Sequence, residues 1–496
     1  MRTLWQDLQP APDRLGGTLR ITFSAVLVAL VMLTFRMPFL YVGPYLVFIL
    51  SQRDTFLTRA AAGLGIGVAV AASLIIYLVA WLAWDTGWLR VSLWGIIFFG
   101  GYFFMRVCVE PRAVLGPLVV VALFAFAFDE APNPNQVVSL VGWLWAILGL
   151  VIVATFLAQW FFRAPTAIEL LRRQFRELLI AVEQVWLSRA YGRTPPENRM
   201  SFEEEEAAAR IEKLGTAGVL APAQARGLLA LLHSAFGLLP QAPVDKQDRP
   251  TLLAFAGWTR RLRRRILLGV DARPPGPFPA PAGLDPAMQE AGKKFREAAL
   301  LMQEPGVPEI EKPPGLLPDW KSNPAYTDFA LRATLATMAC YLFMSLTDWD
   351  GIHTCLITCA VTALAGVDAQ TRKQNLRMTG ALIGGILGMG AVIFLIPRMD
   401  SLASYLVILA CGTALAAWIS LGSERVSYAG WQIVLAFYMT ILQDPHPTTK
   451  LDIVRDRWVG IFIGILAMRA AFVWWAPPAQ SLPVSAERER ILTSGN

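Results

Sequence analysis

Residues 163–186 read RAPTAIELLRRQFRELLIAVEQVW, and here a long hydrophobic block gives way to charge. The apolar residues of this segment recur at the spacing of an amphipathic helix. The polar region continues to Thr327, after which a second hydrophobic block begins. The two blocks end alike, in Arg163–Ala164–Pro165 and in Trp475–Ala476–Pro477–Pro478. The sequence therefore predicts two similar hydrophobic halves around a polar insert.

The composition is typical of a membrane protein. Of the 496 residues, 55% are hydrophobic and 16% are charged, whereas soluble domains carry about 25% charged residues. Apolar runs of about 15 to 25 residues recur roughly twelve times, which predicts a polytopic bundle of membrane helices. The net charge of +7 lies mostly beside these runs. We attribute it to topology and membrane lipid, not to nucleic acid.

We predict an all-α polytopic membrane protein with two parallel-repeat six-helix halves separated by a helical cytoplasmic domain. The expected segments are a cytoplasmic lead (1–19), a first half (20–162), the cytoplasmic domain (163–327), a second half (328–476) and a cytoplasmic tail (477–496). No cleavable signal peptide is evident. The predicted spans are 20–35, 38–50, 60–84, 89–107, 114–128, 137–162, 329–346, 352–366, 377–396, 402–421, 428–442 and 458–475.

Basic residues predict the orientation, because arginine and lysine favour cytoplasmic loops. Arg36 and Arg90 fall on one side of the first half, and most arginines fall on the other: Arg14, Arg20, Arg53, Arg59, Arg106, Arg112 and Arg163. In the second half the cytoplasmic side is marked by Arg372, Lys373, Arg377 and Arg425. The N-terminus and the insert are therefore expected in the cytoplasm.

The insert reads as a chain of short helices, expected near 171–186, 202–213, 222–239, 251–270 and 287–303. A basic run lies in the fourth of them: Arg260, Arg261, Arg263, Arg264 and Arg265. Such a run favours contact with anionic lipid or an acidic neighbour. An anionic regulator is the alternative.

The five cysteines predict neither a disulfide framework nor a metal centre. All of them fall in or beside spans: Cys108, Cys340, Cys355, Cys359 and Cys411. Cys355 and Cys359 share a helix face, but two buried thiols without further ligands make a poor metal site. We expect no metal, no cofactor and, without a nucleophile triad or phosphate loop, no enzyme activity.

The two halves align as a repeat. Leu19–Arg20 matches Leu331–Arg332, and Arg59 followed by glycines matches Arg377 followed by glycines. Two further residues match at equal spacing, with Glu110 and Gly116 corresponding to Glu424 and Gly430. An even number of spans per half gives both halves the same orientation. The repeat is therefore parallel, about an axis along the membrane normal.

Spans 2, 5, 8 and 11 are short or contain Gly-Pro breaks, at equivalent places in the two halves. Such breaks indicate a transport site, because free backbone groups at membrane depth need a polar cavity or protein around them. Short spans in a thinned bilayer are the structural alternative. The candidate substrate-binding residues on these spans are Tyr41, Gly43, Pro44, Tyr45, Gly116, Pro117, His353, Thr354, Gly430, Trp431 and Gln432.

The start of span 12 is a second candidate anion site. Arg455, Asp456, Arg457 and Trp458 stand in sequence there. Arg457 and Trp458 could pair with and stack on an organic anion at a helix N-terminus. Equally, Trp and Arg at a membrane interface anchor the helix to headgroups.

The span centres offer no carboxylate as a proton relay. The candidate proton carriers lie at cytoplasmic mouths, where they could equally serve topology or ion pairs: Asp54, Glu110, Asp368 and Glu424. His353 is a further candidate, because histidine side chains in general can titrate near neutral pH, but a lone histidine at a span end is more often a hydrogen-bonded structural residue. The glycines of spans 3, 9 and 12 favour close helix packing.

The architecture and several short motifs resemble a known family. The motifs are Arg377-x2-Gly380-x3-Gly384, Glu424 followed by Tyr428–Ala429–Gly430, and Arg455 to Gly464. They resemble the fusaric acid resistance, or aromatic acid exporter, family of bacterial inner-membrane proteins. The resemblance implies proton-driven efflux of aromatic carboxylates or related drugs. It also implies a periplasmic membrane-fusion adaptor and an outer-membrane channel.

The leading prediction is thus a secondary exporter of amphipathic organic anions from cytoplasm to periplasm. An organic-anion channel is the first alternative, and the missing midplane carboxylate favours it. A non-transporting envelope scaffold is the second. Twelve spans could form a complete monomer, and the Gly-rich faces could also support a homo-oligomer.

Overall fold

The computed structural model describes residues 9, 13–193, 200, 202–239, 249–268, 286–301, 315–363, 367–422, 424–444 and 451–474. Within these ranges the regular structure is helical and contains no strand. The predicted all-α class is therefore confirmed. The contacts divide the chain into two compact units. The first unit combines Met1–Ala164 with Pro314–Asn496, and the second unit is Pro165–Pro313.

The first hydrophobic block forms six helices. They are α1 (Arg14–Thr34), α2 (Val42–Leu50), α3 (Thr55–Ala83), α4 (Gly87–Val107), α5 (Arg112–Glu130) and α6 (Pro134–Phe161). Asp54 and Asn133 begin α3 and α6 as N-caps, since each side chain accepts a hydrogen bond from a backbone N–H of the first turn. Pro117 lies inside α5.

The insert also folds into helices, close to the predicted positions. They are α7 (Ala167–Ala190), α8 (Glu204–Thr216), α9 (Pro222–Leu238), α10 (Arg249–Leu268) and α11 (Pro286–Leu301). A capping box starts α7, in which Thr166 and Glu169 each satisfy a backbone N–H of the other. The bond from the Thr166 backbone lowers the pKa of the Glu169 carboxyl.

The described residues of the second block again form six α-helices. They are α12 (Pro324–Thr347), α13 (Thr354–Thr362), α14 (Val367–Gly390), α15 (Leu402–Ser420), α16 (Glu424–Ile441) and α17 (Asp452–Arg469). Short π-helical segments extend α14 over Ala391–Leu395 and α17 over Ala470–Trp474.

Twelve membrane spans were predicted, and eight of the described helices are long and apolar enough to cross a membrane. The helices within predicted spans 2 and 8, α2 and α13, have only nine residues each, or about 14 Å of rise, so neither helix alone spans the hydrocarbon core and these two crossings stay predictions. The hydrocarbon core is about 30 Å thick. Helix α16 falls short in length, with Val426–Ile441 as its apolar part. Helix α17 carries too many charges: Asp452, Arg455, Asp456, Arg457 and Arg469.

The two hydrophobic blocks pack into each other. Helix α1 contacts α15 and α2 contacts α16, while α4 contacts α12 and α5 contacts α13. In the numbering of predicted spans these pairs are 1 with 10, 2 with 11, 4 with 7 and 5 with 8. If the two halves are exchanged, the contact of span 1 with span 10 corresponds to that of span 7 with span 4. In the same way, the contact of span 2 with span 11 corresponds to that of span 8 with span 5. Both large hydrophobic clusters accordingly contain residues of both blocks.

Buried hydrogen bonds join the blocks at the same helix pairs. Between α4 and α12, the Tyr102 hydroxyl lies 2.6 Å from Thr337 Oγ1. Between α1 and α15, Arg14 Nε donates to the Trp418 carbonyl oxygen at 2.8 Å. Each bond satisfies polar groups that would be costly to bury alone.

Part of the basic run in the insert has an internal partner. Arg260 Nη2 and Arg263 Nη1 lie 2.6 and 2.7 Å from the two carboxylate oxygens of Glu183, whose side chain is 7% exposed. Beside this pair, the Trp186 and Phe255 rings stack with centroids 4.9 Å apart. Arg260 and Arg263 therefore hold α10 against α7, and a lipid contact of the remaining arginines stays a prediction.

We expect Glu183→Ala to destabilise the insert by about 1–3 kcal/mol, because it leaves two guanidiniums without their partly buried carboxylate. Limited proteolysis of the full chain should cut this variant several-fold faster between α7 and α10. The control is Glu290→Ala, which removes an exposed pair with Lys294 at 3.8 Å. Equal cleavage of both variants would show that the Glu183 cluster does not hold the two helices together.

Candidate functional site

A small cavity, most of whose wall is apolar, lies among α13, α14, α16 and α17. Its polar lining comes from Thr354, Arg377, Gln432, Thr440, Arg457 and Trp458. The volume open to the centre of a water molecule is about 20 Å³, enough for one or two waters. An aromatic anion would enter this space only after the four helices move apart.

Arg377 occupies the middle of α14, and its side chain is buried, with 2% exposure. Its Nε donates to Thr358 Oγ1 at 3.1 Å and its Nη1 donates to Gln432 Oε1 at 2.8 Å. Both partners are neutral. Within the described residues Arg377 makes no ion pair with a carboxylate.

Arg457, near the start of α17, is the second buried cation of the cavity, with 8% exposure. Its Nη1 donates to the Met439 sulfur, and its guanidinium carbon lies 5.4 Å from the Tyr41 ring centroid. Its Nε is buried without a hydrogen-bond partner in the described part of the chain. The neighbouring Asp456 pairs instead with Arg455, at 2.8 Å.

Two buried guanidiniums, with no carboxylate among the described residues of the lining, make the cavity electropositive. Taking a charge out of water is costly unless an opposite charge or several hydrogen bonds compensate it. Arg377 has two neutral acceptors, and Arg457 keeps an unused N–H donor. The cavity is therefore suited to bind an anion, for which guanidinium groups offer paired donors.

Close helix packing holds the lining in place. A Cβ on Gly384 would approach the Ile433 backbone, with 2.9 Å to its Cα, so α14 and α16 meet nearly backbone to backbone. Gly385 makes room for the Trp458 ring in the same way, at 2.9 Å from a hypothetical Cβ. The Trp458 indole Nε1 donates to the Ala381 carbonyl oxygen at 3.1 Å. The predicted role in packing is thus confirmed for Gly384 and Gly385 of span 9, whereas it is wrong for Gly63 and Gly67 of span 3, where an added Cβ would meet no atom within 4 Å.

Five of the residues predicted from sequence come together here: Tyr41, Thr354, Gln432, Arg457 and Trp458. Arg377 was interpreted as a marker of the cytoplasmic side, which stays a prediction, but its burial in the cavity was missed. The error arose from starting the span at Arg377, whereas the helix begins at Val367. The buried Gln370 and Gln374 in the preceding turns were the missed signal.

The other predicted binding residues lie outside the cavity lining. Gly43 faces Met32 and Val28 of α1, and Pro44 and Tyr45 follow it on α2. Gly116 faces Val68 of α3, and Pro117 follows it on α5. Gly430 packs on the Ser420 backbone of α15, and Trp431 packs beside the cluster that α1 and α2 share with α15 and α16.

The candidate proton carriers are dispersed. Asp54 is fully buried, and its Oδ1 accepts a hydrogen bond from the Leu57 N–H at 2.8 Å. Glu110 is exposed between α4 and α5. His353 precedes α13, and its ring stacks on Phe126 with centroids 4.6 Å apart. The side chains of Asp368 and Glu424 lie outside the described residues.

The matching positions of the first block differ from this site. Arg59, which aligns with Arg377, is exposed. Leu118 stands two residues after Gly116, where the second block has Gln432 two residues after Gly430. Its side chain is 3% exposed and packs against Gly101. In the first block, the exposed Arg59 and the buried Leu118 therefore stand in place of Arg377 and Gln432.

Comparison with known proteins identifies the same region. Residues 338–471, which include all four helices of the cavity, match the family described as fusaric acid resistance protein-like. The chain is 28% identical over 495 residues to the multidrug resistance protein MdtO of Escherichia coli O157:H7, covering 95% of this chain and 71% of that protein. MdtO of Escherichia coli K12 is 27% identical over the same shares. MdtO of Shigella flexneri is 39% identical over 175 residues, or 35% of this chain and 26% of that protein.

No solved structure matches the chain. Its apolar helices make it a multi-pass membrane protein. These matches support the family that the architecture and motifs resemble. The second hydrophobic block is similar to the fusaric acid resistance, or aromatic acid exporter, family, and the chain as a whole is similar to the MdtO proteins.

Proposed function

We propose that the protein is a secondary efflux transporter that exports aromatic carboxylates or related amphipathic drugs from the cytoplasm. The observation that carries the proposal is the pair of buried guanidiniums, Arg377 and Arg457, on one cavity without a carboxylate among its described residues. The relatives are named multidrug resistance proteins, which supports efflux. The substrate carboxylate would pair with both arginines, and its ring would lie against Trp458 and Tyr41.

The nine-residue helices α2 and α13 support the proposed site. Broken helices at matching places in a repeat are the usual surroundings of a transport site. Thr354 and Thr358 of α13 reach the cavity and Arg377, and Tyr41 precedes α2. We therefore propose that the transport path runs between the halves, where Tyr41 meets the cavity of the second block, and that an axis along the membrane normal relates the halves. The N-terminus and the insert would face the cytoplasm.

Coupling to the proton gradient is part of the proposal, with His353 and Asp54 as the carriers to test first. Both lie outside the cavity lining, so protonation would act on helix positions and not directly on the substrate. A periplasmic membrane-fusion adaptor and an outer-membrane channel would carry the substrate onward. An organic-anion channel is the second candidate, because the described lining of the cavity includes no carboxylate to carry a proton.

Flux of a labelled hydroxybenzoate in proteoliposomes, with and without an imposed pH gradient, tests this proposal. Accumulation that depends on the pH gradient is expected of the transporter. Flux that follows voltage and ignores the pH gradient would favour the channel. Absence of both binding and flux for aromatic anions would contradict the proposed function.

Arg457→Ala is expected to lower hydroxybenzoate flux about tenfold at sub-saturating concentration, because one of two charge-assisted contacts is lost. The comparison requires equal amounts of reconstituted protein. Arg455→Ala is the matched control, because this neighbouring arginine is exposed and pairs with Asp456. Unchanged flux in Arg457→Ala would remove Arg457 from the site.

A further inference from the structure

The polar face of α14 continues beyond the cavity toward the start of the helix. Gln370, Gln374 and Arg377 are separated by four and three residues, so they share one helix face. All three side chains are buried, with exposures of 4%, 1% and 2%. A buried row of polar side chains inside an apolar bundle is expensive and typical of a functional path.

Gln374 has a charged neighbour at the end of α17. Arg469 Nε donates to Gln374 Oε1 at 3.1 Å. The other polar atom of this amide, Nε2, is buried and has no hydrogen-bond partner in the described part of the chain. Gln374 therefore offers an unused donor directly beside a guanidinium. Such a pair fits an anionic acceptor.

Three arginines lie in series from the C-terminal end of α17 inward: Arg469, Arg377 and Arg457. Arg469 is exposed, and Arg457 lies twelve residues earlier on α17, about 18 Å away along the helix. Arg377 stands between them, one turn from Gln374 and on the same cavity as Arg457. Within the described ranges none of the three forms an ion pair with a carboxylate.

We propose that Gln374 and Arg469 form an access subsite, where an organic anion binds before it passes to Arg377 and Arg457. This inference rests on the proposed function for the identity of the anion. Arg469 is accessible and attracts the anion, and the Gln374 amide donates to it on the way inward. Several weak sites in series let an ion both enter and leave. Cations lining a cleft also raise the rate of capture.

The test separates capture from binding in the central cavity. Arg469→Gln and Gln374→Leu are compared with the unmodified protein, using labelled 4-hydroxybenzoate as the probe. Equilibrium dialysis of the full chain in detergent gives the Kd, and counterflow in proteoliposomes gives the concentration for half-maximal transport. We expect both variants to raise the half-maximal concentration about tenfold, with Kd changed less than about threefold.

Two further variants make the result specific. Arg469→Lys keeps the charge and should restore most of the transport affinity, whereas a merely structural role of the guanidinium would not be rescued. Arg398→Gln changes an exposed arginine beyond the other end of α14 and should have no effect. Normal half-maximal transport in Arg469→Gln, with Kd intact in the same preparation, would overturn the access subsite alone. Absent binding in the unmodified protein would overturn the proposed function.

Discussion

Arg377→Gln is expected to weaken hydroxybenzoate binding by roughly 30- to 150-fold. A hydrogen bond to a charged group contributes about 2–3 kcal/mol when it is buried, and 1.4 kcal/mol corresponds to about tenfold in Kd. Arg377 is 2% exposed, and Thr358 and Gln432 fix its guanidinium at the cavity. Glutamine keeps a polar side chain there but removes the charge that attracts the anion. Equilibrium dialysis of the purified protein measures the change.

The first block supplies the control. Arg59→Gln removes the aligned arginine, which is exposed, and should change Kd less than about twofold. Arg377→Lys should lie between the unmodified protein and Arg377→Gln, because lysine keeps the charge but lacks the planar fork of donors. If Arg377→Gln melts at the temperature of the unmodified protein and binds equally well, the cavity is not the anion site.

The cavity could be predicted in part, because some of its determinants are local in sequence. Arg457 and Trp458 were found because Arg455, Asp456, Arg457 and Trp458 stand together at the start of an apolar run. That pattern did not indicate which of the two arginines, Arg455 or Arg457, would be buried. In the structure Asp456 pairs with Arg455, and Arg457 turns into the bundle beside Met439.

Arg377 was missed because hydropathy and helix boundaries disagree in α14. The apolar run begins after Arg377, whereas the helix starts ten residues earlier, at Val367. Gln370 and Gln374 are polar and lie outside the predicted span 377–396, yet both are buried. Hydropathy scales measure the transfer of side chains into lipid. They therefore do not identify polar side chains that are buried inside a helix bundle beside a cavity.

Short helices stand at the predicted spans 2 and 8, whereas the predicted break in span 5 is wrong, because α5 continues through Pro117 without interruption. The glycine faces could not be assigned from sequence, and Gly116 meets Val68 of α3. Gly430, its counterpart, packs on the backbone of α15. A glycine permits close approach of another helix, but only the tertiary arrangement decides which helix approaches.

Gly384→Val is expected to lower the melting temperature by about 5–10 °C, which corresponds to a loss of about 3 kcal/mol in a bundle of this size. The added Cβ would stand 2.9 Å from the Ile433 Cα and closer still to its carbonyl oxygen. These are backbone atoms of a helix and cannot turn aside as a side chain could. The two helices must therefore separate along their length.

The same separation should also abolish anion binding, because Gln432 lies one residue before Ile433 and bonds to Arg377. Gly67→Val in α3 is the control, since a Cβ at Gly67 meets nothing within 4 Å, and it should melt within about 2 °C of the unmodified protein. Fluorescence-detected melting in detergent measures both variants. If they melt alike, the contact between α14 and α16 is not what fixes the cavity. A lower melting temperature together with lost hydroxybenzoate binding, in Gly384→Val and not in Gly67→Val, would mean that close packing of α14 on α16 holds Arg377 at the cavity.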